Sequence, residues 1–162
     1  MPITMVPGPV TDVVIEDERW RRIDLDALAP KACGAALRAA DFNAGSKGIA
    51  LLACSDRRIT ELNEQFRGID RPTNVISWPA VKPGCEPACD DIQHLGDIAI
   101  AWETCLKESG EFGCALNDHA AHLIVHGCLH LLGFRHDSDR NAARMETLEA
   151  EALALIGLKR PY

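Results

Sequence analysis

The sequence predicts an α+β fold, with about four strands in a mixed sheet packed by about five helices, one of them central. Three observations carry that expectation. Short β-branched or apolar runs alternate with stretches of helical periodicity along the chain. The 162 residues, 47% apolar and 25% charged, suit one domain over residues 1–162 whose core needs no disulfide staples. The stretch from Asn117 to Leu132 is apolar on nearly every side of a helix, which marks an element surrounded by others.

Each element has a local reason. Val13 to Ile15 is a β-branched run and reads as a first strand. Leu25 to Phe42 is rich in alanine and leucine and reads as a helix, with Pro30 near its first turns and Gly45 beyond its end. Ile49 to Cys54 is a compact apolar run, a buried strand. Ser55 or Asp56 caps the next helix, where Ile59, Leu62 and Phe66 are spaced by three and four until Gly68 stops it. Thr73 to Trp78 lies between Pro72 and Pro79 and reads as a strand with hard ends. Leu95 to Trp102 is another strand, and Glu103 to Glu108 a short helix. Asn117 or Asp118 then caps the central helix, and Ser138 or Asp139 caps the last one, which ends near Gly157. Pro2 to Pro9 and Pro79 to Asp91 read as irregular segments.

Charge and cysteine usage narrow the functional classes. The formal charge of −7 excludes nucleic-acid binding through bulk positive charge, so any such role needs a local patch. Between Cys85 and Asp118 one lysine faces eight carboxylates, a stretch that repels RNA. The segment from Met1 to Met5 lacks the basic start of an export signal, and no apolar run approaches a membrane span. Seven cysteines are scattered along the chain, with Cys33, Cys54, Cys105 and Cys128 in apolar surroundings. Buried reduced thiols of a cytoplasmic protein are the expectation.

The histidines carry the chemistry. Five of the six fall between His119 and His136. His126 and His130 are four apart, a rotation of about 400°, so both rings leave one face of the helix a turn apart. Gly133 can end that helix in the left-handed conformation, and His136 follows to close the site. The pattern H-x-x-x-H-x-x-G-x-x-H offers three nitrogen ligands and leaves a fourth position for water. Such a set suits Zn2+, one per chain, with another divalent transition metal as the alternative. The expected fold therefore has a central metal-binding helix. Metzincin proteases share this spacing but carry a glutamate after the first histidine as general base. Here Gly127 stands at that position, and no carboxylate occurs between Asp118 and Asp137.

The segment from His126 to His136 (HGCLHLLGFRH) resembles the signature of the YbeY family, bacterial rRNA maturation factors and endoribonucleases. Three further segments agree: Leu62-Asn63 through Phe66-Arg67-Gly68, Pro72 through Pro79 (PTNVISWP), and Leu95-Gly96-Asp97-Ile98. The resemblance runs from about Ile49 to the C-terminus, including Pro161-Tyr162. It implies a metal-dependent, single-strand-specific endoribonuclease acting in small-subunit rRNA 3′-end maturation and ribosome quality control. It implies that His126, His130 and His136 hold a zinc-like ion and that Arg67 is the catalytic arginine. The implied partners are single-stranded rRNA and the ribosomal small subunit or its assembly factors, with no membrane. Phe134, Arg135 and Trp78 depart from the family's usual tyrosine, aspartate and phenylalanine. A non-catalytic assembly factor with a structural metal, or a metal hydrolase of another substrate, are the alternatives.

Arg71, Asp97, His122 and Arg135 are candidates to touch substrate or to orient a ligand from the outer shell. Each has a plainer reading beside it. Arg67 could pair with Glu64 or Asp70 on the surface. His119 and His122 could be buried rings bonded to neighbours, and Asp97 could cap a turn or pair with an arginine. Cys128 lies on the far side of the helix from the ligands and reads as core. Cys85 and Cys89 lack a partner cluster and read as two loose thiols rather than a second metal or redox pair.

Overall fold

The computed structural model describes residues 9–80, 87 and 93–160. The Pro2–Pro9 segment up to residue 8, nearly all of the Pro79–Asp91 segment after Ala80, Cys85, Cys89 and Pro161-Tyr162 lie outside those residues. Within them the strands are β1 (Val10–Ile15), β2 (Gly48–Cys54), β3 (Val75–Pro79) and β4 (His94–Ala101). The helices are α1 (Leu25–Ala39), α2 (Asp56–Arg67), α3 (Trp102–Phe112), α4 (Leu116–Leu131) and α5 (Asp139–Leu155).

The sheet order is β1-β2-β4-β3. β1 and β4 run parallel to β2, and β3 is antiparallel to β4 at the edge, so the sheet is mixed. Alternation along the strands sorts residues to two faces. Leu51, Ala53, Ile98 and Ile100 face the main core with α1, α4 and α5. Leu52, Cys54, Ala99 and Ala101 face the other way, against Ile59 and Leu62 of α2. Burying each large aliphatic side chain contributes about 1.5–3 kcal/mol, which is what clamps α4 onto the sheet. Ala120, Ala121, Ile124, Val125, Cys128 and Leu129 of α4 are all fully buried, so the helix is central.

Several boundaries differ from the sequence expectation, each for a physical reason. Neither Asn117 nor Asp118 caps α4: the cap is Ala115, which makes no side-chain bond. β3 begins at Val75 because Asn74 is taken up in tying the chain to α3, its Nδ2 donating to Glu108 Oε1 at 2.9 Å. Pro79 is tolerated inside β3 because the strand is an edge. β4 passes straight into α3 at Trp102, and α3 runs on to Phe112, where Gly113 ends it. A 3-10 turn, Glu18–Arg22, was not expected among so many charges. Its anchor is Trp20, fully buried, with Nε1 donating to the Cys54 carbonyl at 2.9 Å and its ring edge-on to Trp102.

Candidate metal centre

His126 and His130 project from one face of α4, as a four-residue spacing requires. Gly133, at φ 97°, turns the chain after the helix in a conformation other residues resist. The turn brings His136 back, so that one ligand nitrogen from each of His126, His130 and His136 lies within 4.8 Å of the others. His126 and His130 are half-buried and His136 is exposed, so the site has a floor of helix and an open side.

The hydrogen bonds decide which nitrogens face inward. The Phe134 carbonyl can only accept, so His130 Nδ1 must donate to it, at 2.9 Å. Burial, with His126 close by, pushes the His130 imidazole down to about 4, which leaves its Nε2 a bare lone pair at neutral pH. His126 Nδ1 donates to Glu149 Oε1 of α5. Burial works to raise the Glu149 carboxyl, but hydrogen bonds from His122 and His126 outweigh it and hold the group at about 2, ionised. The two Nε2 atoms then face each other at 3.0 Å. Two lone pairs at that distance repel unless a proton or a cation sits between them. Nitrogens sharing one tetrahedral zinc stand about 3.4 Å apart, so the donor set fits a small dication of that class.

A cleft of about 1170 Å³ opens over the three histidines. Phe66 and Arg67 at the end of α2 and the strand residues Thr73 to Pro79 line it, as do Phe134, Arg135 and Asp137 of the turn. Gly127 also lines it, and a Cβ there would meet Ile98 Cγ2 of β4 at 3.1 Å. Residue 127 therefore packs against the sheet, which explains why the glutamate of the metzincin pattern has no room here. Gly96 is under a harder constraint. At φ 151° its Cβ would stand 2.3 Å from the Trp78 carbonyl and 2.5 Å from Leu131 Cδ2. Here β4, β3 and α4 close on one another, directly behind the cleft.

The structure places the residues singled out by sequence as follows. Arg67 is exposed on the cleft wall, and among the described residues neither Glu64 nor Asp70 pairs with it. It is held there because Gly68 ends α2 in the left-handed conformation and buried Asn63 donates to the Arg71 carbonyl at 3.0 Å. Arg71 itself does not line the cleft. Arg135 does. Asp97 is exposed on β4 and bonded to His94 at 2.9 Å, away from the ligand histidines. His122 is buried and off the cleft, its Nε2 donating to Glu149 Oε2 at 3.2 Å. His119 is buried and bonded to Glu108 at 2.9 Å. Cys128 is buried in the core beside Cys33.

Sequence reasoning did not find Glu149. It lies one helix further on, in a run of ordinary helix formers, and only the packing of α5 on α4 brings it to His126. A carboxylate on the outer nitrogen of a ligand histidine fixes tautomer and ring orientation, and raises ligand basicity.

A family model described as "Endoribonuclease YbeY" matches residues 14–157. The chain is 45% identical to "Endoribonuclease YbeY" of Dinoroseobacter shibae, over 93% of this chain and 89% of that one. It is likewise 45% identical to "Endoribonuclease YbeY" of Jannaschia sp., over 93% and 98% of the two chains. The solution structure of TM1509 from Thermotoga maritima aligns with a TM-score of 0.57 over 91% of both chains at 22% identity, which shows a shared fold.

Proposed function

This chain belongs to the YbeY endoribonuclease family, and on that premise we propose that it is a metal-dependent endoribonuclease. Its substrate is single-stranded rRNA at the small-subunit 3′ end, cut in the cytoplasm on the ribosomal small subunit or with its assembly factors. The observation that carries this reading is the convergence of His126, His130 and His136 at the floor of an open cleft whose wall holds Arg67, an arginine with no ion pair among the described residues.

His126, His130 and His136 would hold Zn2+ or a similar dication, with Glu149 orienting His126 and the Phe134 carbonyl orienting His130. When bound, such an ion supplies Lewis acidity toward a phosphoryl oxygen and an activated water. Arg67 pairs with phosphate oxygens of the strand and stabilises the charge that develops on them. The cleft admits a single strand over β3, where Phe66 and Trp78, 5.4 Å apart and edge-to-face, offer apolar surface to bases. An exposed third ligand and an open cleft favour catalysis over a purely structural ion, which proteins usually close with a fourth side chain. No helix among the described residues is long and apolar enough to cross a membrane.

The test is cleavage of a single-stranded rRNA 3′ precursor fragment by metal-loaded protein beside an identically purified His130→Ala variant. Cleavage by the first alone is expected. Equal cleavage by both, or none with metal bound, would overturn the reading in favour of an assembly factor.

A further inference from the structure

The turn that carries His136 has a second face. Behind it lies a recess of about 300 Å³ lined by Leu132, Gly133, Phe134, Arg135, Asn141 and Arg144. The recess shares residues 132–135 with the metal cleft, so only the turn separates the two. Its lining holds two guanidinium groups and no carboxylate. In a chain with 24 acidic and 17 basic residues, two arginines lining one recess with no carboxylate in its lining are unexpected. Yet neither Arg135 nor Arg144 enters an ion pair among the described residues.

The arrangement of Arg144 adds to this. Its Cζ lies 5.3 Å from the centroid of the Phe134 ring. A guanidinium held over an aromatic ring by cation–π attraction still has N–H groups to offer an acceptor, and a phosphate fits its fork. Phe134 also positions His130 through its carbonyl, so the aromatic prop and the metal ligand belong to the same short turn. The acidic group on this turn, Asp137, lines the cleft and not the recess; its Oδ1 accepts from Asn141 Nδ2 at 2.8 Å, and that bond, with the nearby Arg135 charge, holds its carboxyl below the usual range.

We propose that Arg135 and Arg144 form a phosphate subsite that takes a backbone phosphate of the RNA strand beyond the one under attack. The strand would then be held by Arg67 on the α2 side of the histidines and by this pair on the turn side. The subsite rests on the endoribonuclease reading and adds a second contact that sets the strand's path. It offers positive charge where the chain as a whole repels RNA.

Binding of a fluorescein-labelled single-stranded oligoribonucleotide tests it, measured by anisotropy at several salt concentrations. A His130→Ala background keeps the strand intact. Arg144→Ala should weaken binding about tenfold, the scale of one charged hydrogen-bonding contact. Removing Arg135 as well should lower the slope of log affinity against log salt by about 0.7, one single-strand phosphate contact. Arg144→Lys should restore most of the slope, because the charge remains. If Arg144 served only to prop Phe134, its loss would move the melting temperature but not the salt slope. An unchanged slope in the double variant overturns the subsite. A wild-type protein that binds but does not cut overturns the nuclease reading, and the subsite is then judged on the slope alone.

Discussion

Glu149 and His126 are joined across two helices: one oxygen of the buried carboxylate accepts from His126 Nδ1, and the other accepts from His122 Nε2 at 3.2 Å. One acid on α5 thereby fixes the tautomer of a ligand and occupies the histidine a turn earlier on α4. Replacing it with glutamine keeps the shape and removes the charge. Glu149→Gln should lower metal affinity about 10- to 100-fold, the usual effect of losing such a partner. Competition against a chromophoric chelator measures it, with far-UV circular dichroism unchanged. An affinity equal to wild type would sink the assignment.

Arg67 lies on the cleft wall outside the histidine cluster, so under the proposed function it would act on the substrate and not on the metal. Arg67→Ala should bind metal one to one and lose about 10²-fold in kcat, the effect of removing one electrostatic stabiliser. Arg67→Lys should recover only part of this, because an ammonium cannot reproduce the guanidinium fork. Single-turnover cleavage on matched metal-loaded samples separates the two variants.

Metal should stabilise the fold measurably. A free concentration 100-fold above Kd adds about 2.7 kcal/mol, or roughly 5–10 °C in Tm for a domain of this size. His136 is exposed and lies outside the helix, so His136→Ala should leave the metal-free Tm within about 1 °C while abolishing most of the metal-induced rise. Differential scanning calorimetry with and without Zn2+ reads both.

The two close approaches behind the cleft differ in severity. Gly96→Ala would place a methyl on the Trp78 carbonyl at a positive φ, and should destabilise by about 3 kcal/mol or more. Gly127→Ala meets only the Ile98 side chain at 3.1 Å, which can yield, and should lose about 1–3 kcal/mol. Gly127→Glu should destabilise at least as much and produce no peptidase activity, because residue 127 faces the sheet. Urea denaturation ranks the three.

How much of this was legible beforehand follows the distance along the chain over which each feature is decided. The ligand set could be read from eleven consecutive residues, since the rise and rotation of one helix, and a glycine that stops it, are local properties. The alternation of apolar runs likewise marked β2, α2 and β4 nearly to the residue, and Ser55 and Ser138 cap their helices as their side chains dictate. The partners of those ligands were not legible. Glu149 lies 23 residues from His126, and no spacing rule links two helices until they pack on one core. Asp97, the nearer candidate in the sequence, points to solvent because the pleat of β4 sends it there and not toward α4. The sequence alone determined which side chains can bind a metal and which protease chemistry is missing. Only the tertiary structure decided which acid steadies those atoms and which arginines face the cleft. The physical reason is that burial, and the contacts it imposes between distant segments, exist only once the whole chain has packed.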